Sequence, residues 1–269
     1  VFNNLSVGAN FSYLYGDITH QSMTAIGATD TRSIKLDKFS ISDYKLDFGL
    51  QYTYKLNKKN TINIGAVYTL GRTLHGDAYK YHQTGAESNG SIYVQSQTGD
   101  TIPNPFKMPH TFGIGLTYVY DNRLTIGVDY TLQKWNTADL AWSKFNKESV
   151  EMNSRTKIAF GAEFVPSYIS HNYLKRIRYR MGAYYSSPYN KVSYTSPDTG
   201  TTSFQDGARE YGVSVGFGLP MFQSKSMLNI SGQYIKVSPK FKGLMEENYL
   251  RINIGLTFNE RWFMKWKVD

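Results

Sequence analysis

Apolar and polar residues take turns along most of this chain. Between Tyr249 and Phe263, Leu250, Ile252, Ile254, Leu256 and Phe258 are apolar, while Arg251, Asn253, Gly255 and Thr257 between them are polar or tiny. A period of two marks a strand with one oily side and one wet side. The same pattern predicts ten strands, near 5–16, 39–56, 61–76, 108–120, 123–137, 152–165, 174–187, 208–222, 226–237 and 249–263. In the second, Tyr44, Leu46, Phe48, Leu50, Tyr52 and Tyr54 oppose Lys45, Asp47, Gly49, Gln51 and Thr53. In the seventh, Ile177, Tyr179, Met181, Ala183 and Tyr185 oppose Arg178, Arg180 and Gly182. A slip of one residue would swap the faces of a strand, so agreement across the set says more than any one segment.

The connections fall into two alternating classes. Short ones lie near 57–60, 121–123, 166–173 and 223–226; long polar ones lie near 17–38, 77–107, 138–151, 188–207 and 238–248. A soluble β domain has no reason for that alternation, whereas an outer-membrane barrel joins its strands by tight periplasmic turns and long external loops. The expected fold is therefore all-β, an antiparallel transmembrane β-barrel forming a single domain over 1–269, with its C-terminus periplasmic. The aromatics agree. Tyr13, Tyr15, Tyr68, Trp135, Tyr185 and Tyr234 fall near the outer strand ends, and Tyr52, Tyr54, Tyr118, Tyr120, Phe164, Phe222 and Trp262 near the inner ends. Two such belts fit the two interfaces of a bilayer. No apolar run reaches the ~18 to 20 residues of a membrane helix.

Composition adds three points. Tyr (22), Phe (15) and Trp (4) are abundant, which the belts absorb. Cysteine is absent, so neither disulfides nor thiol chemistry enter. The formal charge of +9 comes without a basic run or a basic helical face, so it suits anionic outer-membrane lipid and lipopolysaccharide better than nucleic acid.

The wet side carries the candidate chemistry. Gly8, Gly49, Gly65, Gly113, Gly115, Gly127, Gly161, Gly182, Gly212, Gly216, Gly218 and Gly255 point to it. They read either as curvature or as room for a plug or cargo. Lys45, Asp47, Asp129, Lys157, Glu163, Arg178, Arg180 and Arg251 line the expected lumen. Their mixed sign suggests a paired network that stiffens the wall or holds a plug. If the network selects a substrate instead, Arg178 and Arg180 favour a carboxylate. His75, Asp77 and His82 cluster at one strand end, where a hydrolase could place a base and its orienter. No nucleophile spacing, metal-ligand spacing or cofactor motif accompanies them, and His20, His110 and His171 are isolated, so no enzyme is expected. The 77–107 connection is long enough to cap the mouth, with a small hairpin near 91–97. Leu140, Trp142 and Phe145 make an oily cluster in another loop.

Two segments resemble a known family. Leu5 to Ile18, LSVGANFSYLYGDI, is similar to a strand of the FadL/TodX outer-membrane transport proteins, and the ending GLTFNERWFMKWKVD resembles the terminal strand of its Bacteroidetes members. Gly255, Phe258 and the aromatic ending are also similar to the signal read by the barrel-assembly machinery. The resemblance implies a fourteen-stranded barrel with an N-terminal hatch and passage of hydrophobic small molecules such as long-chain fatty acids. It would place Val1 well inside a longer protein, after a signal, the hatch and about four strands. A subset of the family serves type IX secretion as a shuttle, which implies an alternative, a scaffold binding a partner protein at its extracellular loops. An outer-membrane hydrolase using His75 or Asp77 is the third expectation.

Overall fold

The computed structural model describes residues 4–25, 31–88, 91–137, 151–195, 202–221, 226–239 and 245–258. The expected sites at Leu140, Trp142 and Phe145, at Phe222, and at Trp262 through Lys267 lie outside the described residues. The strands are β1 (Leu5–Ala25), β2 (Thr31–Lys55), β3 (Asn60–Thr69), β4 (Arg72–Thr73), β5 (Gly76–Ser88), β6 (Ser91–Pro103), β7 (Lys107–Met108) and β8 (Thr111–Tyr120). They continue with β9 (Leu124–Gln133), β10 (Arg155–Phe164), β11 (Arg178–Ser186), β12 (Lys191–Thr195), β13 (Thr202–Asp206), β14 (Ala208–Pro220), β15 (Met227–Pro239) and β16 (Glu247–Thr257).

Ten of these overlap the ten predicted segments and form one antiparallel wall in the order β1, β2, β3, β8, β9, β10, β11, β14, β15, β16. Five of the other six, β5, β6, β7, β12 and β13, sit in or at the edge of the long connections, whereas β4 falls inside the third predicted segment, 61–76, which leaves the wall after Thr69. Among the described residues no ladder joins β1 to β16, so these strands form an open sheet and do not close into a barrel by themselves. The β8–β9 turn shows why the short connections are tight. Asp121 and Asn122 take φ of 50° and 54°, as a two-residue hairpin turn requires, and Arg123 N–H donates to the Tyr120 carbonyl at 2.8 Å.

The apolar side chains do not make a core. Among the described residues the buried hydrophobics are Leu74, Ala78, Val165, Ile177 and Ile235. Meanwhile Ile114 is 62% exposed and Ile254 73%, and Leu50, Ile64, Leu116, Val128, Phe160 and Val215 are exposed beside them on the same side of the wall. Fully burying one such side chain is worth about 1.5–3 kcal/mol. Aromatic pairs close both ends of this side: Tyr185 with Tyr211 at 5.2 Å on the long-connection end, Tyr179 with Phe217 at 5.9 Å on the other.

Three expected loops hold strands. The 17–38 stretch is filled by β1 and β2, which stay paired from Leu5↔Tyr52 to Ala25↔Arg32. The 77–107 stretch is filled by the β5–β6 hairpin, which includes 91–97, and β5 pairs with β2 at Thr31–Ile41. The 188–207 connection likewise holds the β12–β13 hairpin. Strands β1, β2, β5 and β6 thus make a blade that runs on past the wall. From Asp47, where β2 parts from β3, to Thr31 it extends about 50 Å at ~3.3 Å per residue. Much of this stretch is polar on both sides, and a strand that buries neither side shows no alternation to read.

A small core ties blade to wall. Residues 70–75 leave the sheet, and β4 pairs with β7 across them. Phe39 packs on Phe106 at 5.4 Å, with Leu74, Ala78 and Pro105 buried around them. Gly76 rejoins β2 so closely that a Cβ on it would stand 2.1 Å from the Ser40 carbonyl oxygen. Gly76→Ala is therefore expected to cost about 1–3 kcal/mol and to open β5 to limited proteolysis. Gly8→Ala, whose Cβ meets nothing within 4 Å, is the control and should leave cleavage unchanged.

Candidate functional site

Strand register decides which side chains share the wet side. On β10, β11, β14, β15 and β16 it stacks them in rows. One row is Arg178, Gly218, Asn229 and Gly255; the next is Glu163, Arg180, Gly216, Ser231 and Asn253. Then come Gly161, Gly182, Ser214, Gln233 and Arg251, and, two rows on, Lys157, Ser186, Glu210, Val237 and Glu247.

Glu163 is the hub of the first cluster. Its Oε1 accepts from Arg178 Nη1 at 3.2 Å and its Oε2 from Arg180 Nε at 2.7 Å. Arg180 Nη1 reaches on to Asn229 Oδ1 at 2.8 Å, so three strands are laced together. Toward the long-connection end, the Tyr184 hydroxyl donates to Glu210 Oε1 at 2.5 Å and Arg155 pairs with Glu210 at 3.8 Å. Arg155 Nε also donates to Ser186 Oγ at 2.7 Å, and Lys157 Nζ lies 4.7 Å from the centre of the Tyr184 ring. Among the described residues, Lys157 and Arg251 have no salt bridge.

The remaining expected residues lie on the other half of the wall. Lys45 pairs with Asp47 at 2.9 Å, and Thr69 Oγ1 donates to the same Asp47 at 2.6 Å. Asp129 stands over Gly115, where a Cβ would come within 2.4 Å of its Oδ1. It lines a groove of about 670 Å³ floored by Gly8, Gly49, Gly65, Gly113 and Gly115. Of the eight sequence candidates, five fall into two separate ion-paired sets, Lys45 with Asp47 and Glu163 with Arg178 and Arg180, while Asp129, Lys157 and Arg251 lie outside both among the described residues.

The histidine cluster is not a cluster. His75 is tied to Asp43, its backbone N–H donating to Asp43 Oδ2 at 2.7 Å and its Nδ1 lying 3.1 Å from the same oxygen. Asp77 sits in the ladder opposite Ser40, and His82 Nε2 contacts Ser33 Oγ at 3.0 Å. Among the described residues no three His, Cys, Asp or Glu are grouped to hold a metal.

Sequence reading set Asn229 on the wet side without a partner and missed Asp43, Arg155, Tyr184 and Glu210. The signal for all four was parity: each shares the even or odd count of its strand's wet side. Tyr184 was the hardest, since an aromatic among polar positions reads as misplaced oil.

A family model described as BamG matches residues 1–269. Among solved structures, the chain is similar to a chain of the RagAB peptide importer in its 'closed-closed' state, at 10% identity and a TM-score of 0.43. It is also similar to a chain of the RagAB peptide transporter, at 12% identity and the same TM-score. Each match covers 91% of this chain and 36% of the other, so the chain spans about a third of their length. No curated protein matches. The whole-chain family match overturns the resemblance to FadL/TodX. Segments 5–18 and 249–269 carry alternation, glycine and terminal aromatics, which any strand with one oily and one wet side can carry. The fourteen strands, the hatch and the fatty-acid route fall with that resemblance.

Proposed function

The chain belongs to the BamG family, and from that premise we propose that it is an outer-membrane β scaffold that binds a partner protein. The observation that carries this reading is the exposed apolar side of the wall, with Leu50, Ile114, Leu116, Val215 and Ile254 all uncovered. Hydrocarbon is the solvent that makes such a surface stable, and wall strands of about ten residues are the length that crosses it. In this reading the wall lies in the membrane with its short turns toward the periplasm and its long connections outward.

The blade supports the partner. It exceeds the ~30 Å of a bilayer core, and a stretch polar on both sides is suited to meeting protein beyond the lipid rather than to crossing it. The wet wall is laced by ion pairs on one half and floored by glycine on the other, and neither part supplies an oily conduit.

The full-length protein, extracted from outer membranes in mild detergent, is expected to carry a partner polypeptide in fixed ratio. Replacing the far part of the blade, residues 19–38, by an Asn-Gly turn that joins the paired Ile18 and Phe39 should release that partner while the wall stays folded. A protein that remains monodisperse without detergent, or that carries no polypeptide before that part is removed, would overturn the proposal.

A further inference from the structure

The wet wall of β10, β11, β14, β15 and β16 carries an excess of positive charge. Arg155, Lys157, Arg178, Arg180 and Arg251 share it with Glu163, Glu210 and, at the far end, Glu247. Five cations face three carboxylates, and the pairing is uneven. Glu163 serves two arginines, Glu210 serves Arg155 and the Tyr184 hydroxyl, and Glu247 takes the Tyr249 hydroxyl. Lys157 and Arg251 keep their full charge available, since among the described residues neither has a carboxylate partner.

Between these cations the floor is small. Gly161, Gly182 and Ser214 occupy the row that ends in Arg251, and a Cβ on Gly161 or Gly255 would meet nothing within 4 Å. Glycine φ there is ordinary, Gly16 alone taking a positive value among the described glycines. Backbone conformation therefore does not ask for glycine at these places, but the close approach of another backbone does. Lys157 on β10 and Arg251 on β16 stand two rows and four strands apart, roughly 20 Å, so a single carboxylate cannot serve both while a polypeptide segment can.

We infer that this wall seats an acidic segment of the partner polypeptide, its carboxylates pairing with the two cations that have no carboxylate of their own among the described residues, Lys157 and Arg251. The inference rests on the scaffold reading and adds the partner's chemistry. A second copy of this chain is a poor occupant, because each copy carries a net +9. A lone carboxylate, as on a fatty acid, fills one row and leaves the others unmatched.

The test uses full-length protein in detergent micelles and two fluorescein-labelled peptides, five repeats of Glu-Ser and five of Gln-Ser, read by anisotropy at low salt. The Glu peptide is expected to bind about tenfold more tightly than the Gln peptide. Lys157→Gln combined with Arg251→Gln should erase most of that difference. These two side chains take no part in the Glu163 lacing, so the wall should fold. Lys157→Arg with Arg251→Lys should restore binding, which separates lost charge from lost fold. Equal binding of the two peptides, or an unchanged double Gln variant, overturns the inference. So does displacement of the Glu peptide by phosphatidylglycerol vesicles at matched charge, which would make the wall an anionic-lipid seat. If a native partner co-purifies with the wild type while the peptides bind alike, only the acidic-segment inference falls; if no partner co-purifies, the scaffold reading falls first.

Discussion

Replacing Asp43 by alanine is expected to loosen the joint between blade and wall by about 2–3 kcal/mol. Asp43 sits where β2 changes partners, with β3 below it and β5 above. Its side chain is 2% exposed, and it accepts from Tyr44 N at 2.7 Å, from His75 N at 2.7 Å and from Arg72 Nη2 at 3.3 Å. The Arg72 guanidinium in turn stacks 3.9 Å from the centre of the Tyr44 ring. Alanine would strand two backbone donors and one guanidinium at once. The carboxylate is enclosed by a thin shell rather than by deep protein, which keeps the cost at the low end of the range for a broken buried pair. Protease sensitivity of β5 and β6 across a urea series measures it, and an unshifted midpoint would refute it.

The same group sets an acid limit. Burial pushes the Asp43 carboxyl up, but hydrogen bonds from His75 and Tyr44 and the Arg72 charge outweigh it and hold it below its ordinary 3.8. A carboxyl depressed on folding adds stability above its unfolded value and loses it as pH falls through the folded one. Blade protection should therefore be flat above about pH 4 and decline below it. In Asp43→Ala that decline should be absent from the same window.

Leu116→Arg carries the second large effect. Leu116 lies mid-strand in β8, 50% exposed, between Ile64 of β3 and Val128 of β9. In water an exposed leucine replaced by arginine changes stability by a few tenths of a kcal/mol. In a bilayer the same change near the midplane costs about 2–4 kcal/mol. Thr117→Arg, one residue on and on the wet side, should cost far less. Urea unfolding of both variants in phosphatidylcholine vesicles separates the cases, and equal stabilities would remove lipid as the medium around the apolar side.

The wall was legible because each of its strands keeps two unlike sides, and the phase of Leu46, Phe48 and Leu50 or of Ile252 and Ile254 survives every neighbouring register. The blade was not. Between Leu36 and Phe39 the apolar positions of β2 change sides while the ladder to β1 runs on unbroken, because Phe39 turns toward Phe106 and the small core. A phase change without a bulge looks like the end of a strand. The charged residues were legible singly, as Lys157 or Arg180, but not in their partners. Asp43 serves His75 and Arg72, about thirty residues away, and only the fork in β2 brings them together.

That fork also orders events in time. Nearly every wall strand lies against its chain neighbour, so growth can proceed by successive hairpins, each closing a short loop at small entropic cost. The β8–β9 hairpin, with its preset turn, can form from local sequence alone. The β5–β6 hairpin has no such independence, since its docking edge is the far half of β2, laid down dozens of residues earlier. Docking of the β5–β6 hairpin on β2 is therefore expected to follow the β1–β2 ladder, and a chain stalled before it would hold its wall with an unclasped arm.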